Sequence, residues 1–130
     1  MIILAIRTDK PEAELYLYDG LTKKTEIRWQ AHLKLSETLN SKIEEILNSS
    51  SISYSDIDGI AVFKGPGSFT GLRIGTAVAN ALAYSLTIPI VSNDGKEWIK
   101  RSINALVSGN NDKIVIPEYG SEAHTTQPRK

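Results

Sequence analysis

There is no cysteine in this 130-residue sequence. That absence removes disulfides, zinc–thiolate sites and thiol nucleophiles together. Nor is there an excess of charge, because fifteen Lys and Arg balance fifteen Asp and Glu. A strong electrostatic grip on nucleic acid needs a basic surface that displaces counterions, so RNA binding by the chain alone is not expected. No run approaches the roughly eighteen apolar residues of a membrane span. The opening "MIILAIRTD" is too short an apolar run for a secretory signal and lacks a basic lead-in. No membrane segment and a cytoplasmic protein are therefore expected. The two histidines, His32 and His124, are far apart, and no His, Asp and Glu group has metal-ligand spacing. No catalytic residue, metal ligand or cofactor is assigned.

What remains is a chain 41% hydrophobic and 23% charged. Such a chain reads as globular and is long enough to bury about two-thirds of its surface. Residues 2–8 form a short apolar, β-branched run that suits a buried strand. In residues 13–18, Ala13, Leu15 and Leu17 alternate with Glu14, Tyr16 and Tyr18, the signature of a strand with two different faces. Asp19 and Gly20 supply a turn, and residues 25–30 make its partner, with Ile27 and Trp29 on one face. The period then lengthens. Leu35, Leu39, Ile43, Ile46 and Leu47 form an apolar stripe on a helix over 35–48. A strand over 59–64, a long helix over 68–86, a short strand over 89–92 and a third helix over 96–107 follow. The order β-β-β-α-β-α-β-α predicts an α/β fold with a mixed five-stranded sheet, an antiparallel meander extended by right-handed crossovers. That is the ribonuclease H-like order. Residues 1–107 are expected to form the lobe, and 108–130 a linker and C-terminal tail, with 114–120 ("IVIPEYG") as an edge strand.

The stretch most in need of an explanation is "GPGSFTGLRIG", residues 65–75, with four glycines in eleven positions. A P-loop requires Gly-x4-Gly-Lys-Ser/Thr, but Thr70 stands where the second glycine belongs. Gly65 and Gly67 begin a dinucleotide-binding pattern, yet Gly71 arrives one residue late. A Gly-x-Ser-x-Gly elbow fails because Pro66 and Thr70 flank Ser68. Strand, turn and helix still come in the right order for a phosphate at the helix N-terminus, so Gly65, Gly67, Ser68 and Thr70 stay open as a cradle. A packing reading accounts for more. Ser68 or Thr70 caps the helix, and Pro66 between two glycines makes the turn. On the helix, Ile74, Val78, Leu82 and Leu86 form one stripe and Gly71, Gly75, Ala79 and Ala83 an adjacent small-residue stripe. Arg73, Thr76, Asn80 and Tyr84 form a narrow polar edge. Small residues at this spacing admit another backbone closely, either within the molecule or on a partner.

Together "ILAIRTD", "SDIDGIAVFKGPGSFTGLRIG" and "TAVANALAYSLTIPIVS" resemble the signature of the TsaB (YeaZ-like) family, with "GPGSFTGLRIG" the most specific part. The likeness runs to about Lys100, and "IPEYGSEAHTTQPRK" is similar to that family's tail. Members are usually longer, so a short form without the second lobe is expected. The resemblance implies an actin/Hsp70-like ATPase superfamily fold in a catalytically degenerate protein. It also implies a scaffold that binds a TsaD-type paralogue, with a TsaE-type ATPase in the wider complex. That complex places a threonylcarbamoyl group on the adenosine next to the anticodon in tRNAs reading ANN codons. A homodimer is implied in the partner's absence, with tRNA met only through the complex. Carried onto this sequence, the pairing helices are 35–48 and 68–86, which makes Leu39, Ile43, Gly71, Arg73, Gly75, Thr76, Ala79, Asn80 and Ala83 the candidate partner-binding residues. Where TsaB-like chains usually carry Asp at the end of the first strand, this one has Arg7, with Asp9 two residues on; a cation cannot hold hydrated magnesium. Two readings of other classes stand beside the scaffold. One is a nucleotide-binding enzyme using the Gly65–Gly71 turn; the other is a lobe that only self-associates, with no pathway role.

Four further expectations are local. His32 flanks the first helix, and Asp56 and Asp58 serve the entry to the fourth strand. Glu44 and Glu45 are helix-surface charges, and Trp98 is a core or lobe-edge residue.

Overall fold

In the computed structural model, which describes residues 1–118, the apolar run at residues 2–8 becomes β1 (Ile2–Arg7) at the centre of the sheet. β2 (Glu12–Asp19) and β3 (Thr22–Gln30) follow as an antiparallel meander. β4 (Gly59–Phe63) pairs parallel to β1, and β5 (Ile90–Asn93) parallel to β4. The five-stranded sheet has the order β3-β2-β1-β4-β5. Helix α1 (Leu35–Ser49) connects β3 to β4, α2 (Phe69–Leu86) makes the crossover from β4 to β5, and α3 (Trp98–Val107) follows β5. This is the mixed sheet that the sequence order predicts.

Strand periodicity divides the core into two layers. Leu4, Ile6, Leu15, Leu17, Ile60 and Val62 face α1 and α2, where Leu39, Ile43 and Ile46 are fully buried. Ile3, Ala5, Tyr16, Ala61 and Phe63 face α3 and meet Trp98, Ile103 and Leu106. Trp98 is a core residue rather than an edge one, packed edge-on against Phe63 and Tyr16 at centroid distances of 5.6 and 6.4 Å.

Local hydrogen bonds account for several of the polar residues. Asp58 accepts the Ile2 N–H at 2.8 Å, and Asp56 closes a capping box with Ser53. His32 starts the short 3₁₀ turn before α1. The third strand begins earlier than its apolar residues suggest, because Thr22 and Lys23 pair with Asp19 and Tyr18 through their backbones.

One expected element does not form: residues 114–118 are not a strand. Pro117 has no N–H for a ladder, and Val115 takes its two backbone hydrogen bonds from the Asn80 side chain instead. The rest of that expected strand, the tail and His124 lie outside the described residues.

Candidate functional site

Strand β1 ends at Arg7, and the next three residues turn under the N-terminus of α2. That turn explains the glycines. A Cβ added at Gly67 would lie closer than 3.0 Å to Asp9; at Gly71, to the Thr8 carbonyl; at Gly75, to the Thr8 hydroxyl. None of these three neighbours is the far end of a flexible side chain. The close approach is used by hydrogen bonds, with the Thr8 hydroxyl donating to the Gly71 carbonyl at 2.7 Å and the Ser68 N–H donating to the Asp9 carbonyl at 2.8 Å. The Ser68 hydroxyl accepts from the Gly71 N–H at 3.3 Å and caps the helix. Gly65, at φ 116°, has the Glu118 carbonyl against it and adopts a backbone conformation that other residues avoid.

The corner where the superfamily resemblance places metal and phosphate is cationic and internally paired. The Arg7 guanidinium holds both Asp9 carboxylate oxygens, at 2.8 and 3.1 Å, and its Cζ lies 3.9 Å from the Phe63 ring centroid. Burial pulls the Arg7 pKa down, but Asp9 outweighs it and the net shift is upward. Beside it, Glu14 is only 5% exposed. Its carboxylate accepts from Lys10 at 2.6 Å and from the Tyr16 hydroxyl at 2.5 Å, with Arg28 3.7 Å away. Burial pushes the Glu14 carboxyl up, but Lys10 and Tyr16 hold it below the usual carboxylate value. Burial and the Glu14 carboxylate both push Tyr16 up. A cleft of about 330 Å³ lies alongside, between Lys10, Pro11, His32, Ser68 and Thr70. Among the described residues, no group of three His, Cys, Asp or Glu side chains is placed to hold a metal ion.

The residues predicted for partner contact do not share one surface. Leu39 and Ile43 are fully buried under the helical layer, and Gly75, Thr76, Ala79 and Ala83 are buried too. Gly71 is half-buried against Thr8. Thr76 is not on a polar edge: its hydroxyl donates to the Leu72 carbonyl at 2.8 Å, so it is satisfied within the helix and turns inward. Asn80 is half-buried and committed to Val115. Arg73 alone of that set is exposed, with its guanidinium 5.2 Å from the Phe69 ring centroid. The outer ridge of α2 consists instead of Thr70, Arg73, Ala77, Ala81 and Tyr84, flanked by half-buried Ile74, Val78 and Leu82. Tyr84 is 88% exposed. The helix has a single charged residue in eighteen. By contrast, the outer face of α1 carries Glu37, Asn40, Glu44 and Glu45. The sequence signal for Ala77 and Ala81 is their small size one turn apart on the face opposite the glycines.

A family model described as "TsaD: tRNA N6-adenosine threonylcarbamoyltransferase" matches residues 29–126. The chain belongs to this family, as a TsaB-like member. It is 38% identical over 113 residues to the "tRNA threonylcarbamoyladenosine biosynthesis protein TsaB" of Bacillus subtilis, covering 83% of this chain and 48% of that protein. It is 46% identical over 102 residues to the tRNA N6-adenosine threonylcarbamoyltransferase of Geotalea daltonii, covering 76% of this chain and 28% of that protein. The chain thus spans less than half the length of these relatives. The solved structure of YeaZ from Pseudomonas aeruginosa superposes with a TM-score of 0.67 at 25% identity, over 72% of this chain and 43% of that one. The lobe accordingly has the ribonuclease H-like fold of the actin/Hsp70-like superfamily.

Proposed function

We propose that the chain is a non-catalytic scaffold that docks a TsaD-type paralogue and supports threonylcarbamoylation of the adenosine beside the anticodon in tRNAs reading ANN codons. The observation that carries this reading is the outer ridge of α2, an eighteen-residue helix with one charge, whose exposed alanines let a second helix approach closely. In this reading Thr70, Arg73, Ala77, Ala81 and Tyr84 make the contact. The buried members of the predicted set, from Leu39 to Ala83, hold the ridge in place. Without the partner the same ridge pairs two copies, and tRNA and a TsaE-type ATPase are met through the complex, in the cytoplasm.

Two features support a scaffold over a nucleotide-binding enzyme. Arg7 occupies the strand end where a magnesium-orienting carboxylate is needed, and the nearest carboxylate, Asp9, is held by it. Gly67 and Gly71 face residues 8 and 9 of the chain itself, which explains them without a phosphate. Co-purification with a TsaD-type protein of the same organism, together with rescue of tRNA modification in a TsaB-depleted strain, tests the proposal. Absence of both a complex at micromolar concentration and any rescue contradicts it. Saturable binding of ATP and magnesium by the chain alone, read by calorimetry, would favour the enzyme.

A further inference from the structure

Residues 111–118 run along the flank of α2 in the opposite direction to the helix, and three separate parts of the lobe hold them. At the start of β5, the Asp112 N–H donates to the Ile90 carbonyl at 2.8 Å, and the Asn111 side-chain oxygen accepts from the Ile90 N–H at 3.1 Å. Midway, the Asn80 amide donates to the Val115 carbonyl at 3.0 Å and accepts from the Val115 N–H at 2.9 Å, doing for one residue what a neighbouring strand would do. At the end of β4, the Glu118 N–H donates to the Lys64 carbonyl at 2.7 Å. The seat is thus formed by residues distant in sequence: Gly65, which leaves room for the Glu118 carbonyl, together with Asn80 and Ile90.

We propose that this segment is a releasable strap, a conformational device that locks the glycine turn to the flank of α2. Seated, it covers Gly65 and occupies both hydrogen-bonding groups of Asn80. Released, it frees both and uncovers the part of the core beneath Val115 in one step. Three observations make release local. Val115 is buried at 4% exposure, but its neighbours Ile114 and Ile116 are 69% and 75% exposed, so the strap is gripped on one side only. The Lys64–Glu118 ion pair that adds to the far anchor is long, at 3.9 Å, and solvent-exposed. Near the other end, Gly109 and Lys113 have φ of 93° and 67°; a lysine in this left-handed conformation is strained, and release relaxes it. The anchors lie in series on eight residues, so loss of the middle one loosens the far one.

Hydrogen exchange of the full chain tests this device independently of any partner. In the wild type, the Val115 and Glu118 amides should open together and well before those of β1 and β4. Asn80→Ala should speed exchange at both by about tenfold or more, since it deletes two hydrogen bonds, while β1 and β4 exchange as before. Gly65→Ala should do the same from the other end. Asn80→Asp keeps the acceptor for the Val115 N–H but sets a carboxylate oxygen against the Val115 carbonyl, so it too should speed exchange at both amides. The proposal is overturned if Asn80→Ala speeds Val115 but leaves Glu118 unchanged, if Asn80→Asp behaves as wild type, or if the two amides open only with global unfolding.

Discussion

The inner face of α2 is made of Gly71, Gly75, Ala79 and Ala83, and its outer ridge carries Arg73, Ala77, Ala81 and Tyr84. Both faces have small residues one turn apart, but they are small for different reasons. Inward, the space is already taken: Thr8 lies where the Cβ atoms of Gly71 and Gly75 would be. Outward, Ala77 and Ala81 are exposed among the described residues, so their size sets how closely another surface can come. A small-residue stripe is therefore not in itself a sign of docking. The face that carries the glycines belongs to the fold, and the alanine face is the one we propose for a partner.

Substitutions on the two faces should separate cleanly. The largest loss is expected in the layer beneath the ridge, where truncating Leu39 or Ile43 to alanine removes fully buried side chains and should cost about 2–5 kcal/mol in urea unfolding. Gly75→Val should cost about 3 kcal/mol or more, because the branched side chain meets Thr8 where no flexible atom can yield. A soluble Gly75→Val variant with wild-type stability would break the comparison.

A middle-sized effect is expected at the β1–β2 end. Glu14→Gln should cost about 1–3 kcal/mol at neutral pH, because Lys10 and Tyr16 lose an ionised acceptor. The folded state holds the Glu14 pKa below its usual value. Its stabilisation is therefore complete above the unfolded value of about 4.3 and is lost as pH falls through the lower folded value. Thermal melts between neutral pH and pH 3 should show wild type losing more stability than Glu14→Gln; equal losses would remove Glu14 from the account. The smallest stability change is expected on the ridge, where Ala81→Glu should stay within about 0.5 kcal/mol of wild type.

The elements that follow from periodicity alone were legible in the sequence. The alternation over residues 13–18 and the Leu35–Leu47 stripe gave a strand and a helix at the places where β2 and α1 stand. A cap at Ser68 or Thr70 was legible, since a hydroxyl before an apolar helix needs only local geometry, and the structure gives it to Ser68. The role of Thr8 was not legible, because its contact with Gly71 and Gly75 spans more than sixty residues and exists only once β1 and α2 are packed. The same holds for Asn80. Its side chain reads as an ordinary polar position on a helix until the returning chain supplies Val115, and that bond takes the place of a strand ladder over residues 114–118. Thr76 misled for a different reason: a hydroxyl that can bond to its own helix backbone is polar in composition but not in placement.

The central claim is that the outer ridge of α2 is the docking face and the glycine face is not. Calorimetric titration of a TsaD-type protein from the same organism with wild type and Ala81→Glu, at matched folded stability, tests it most directly. The account predicts saturable binding by wild type at micromolar concentration and a loss of about tenfold or more in affinity for Ala81→Glu. Equal affinity for the two, or no binding by wild type, would contradict it.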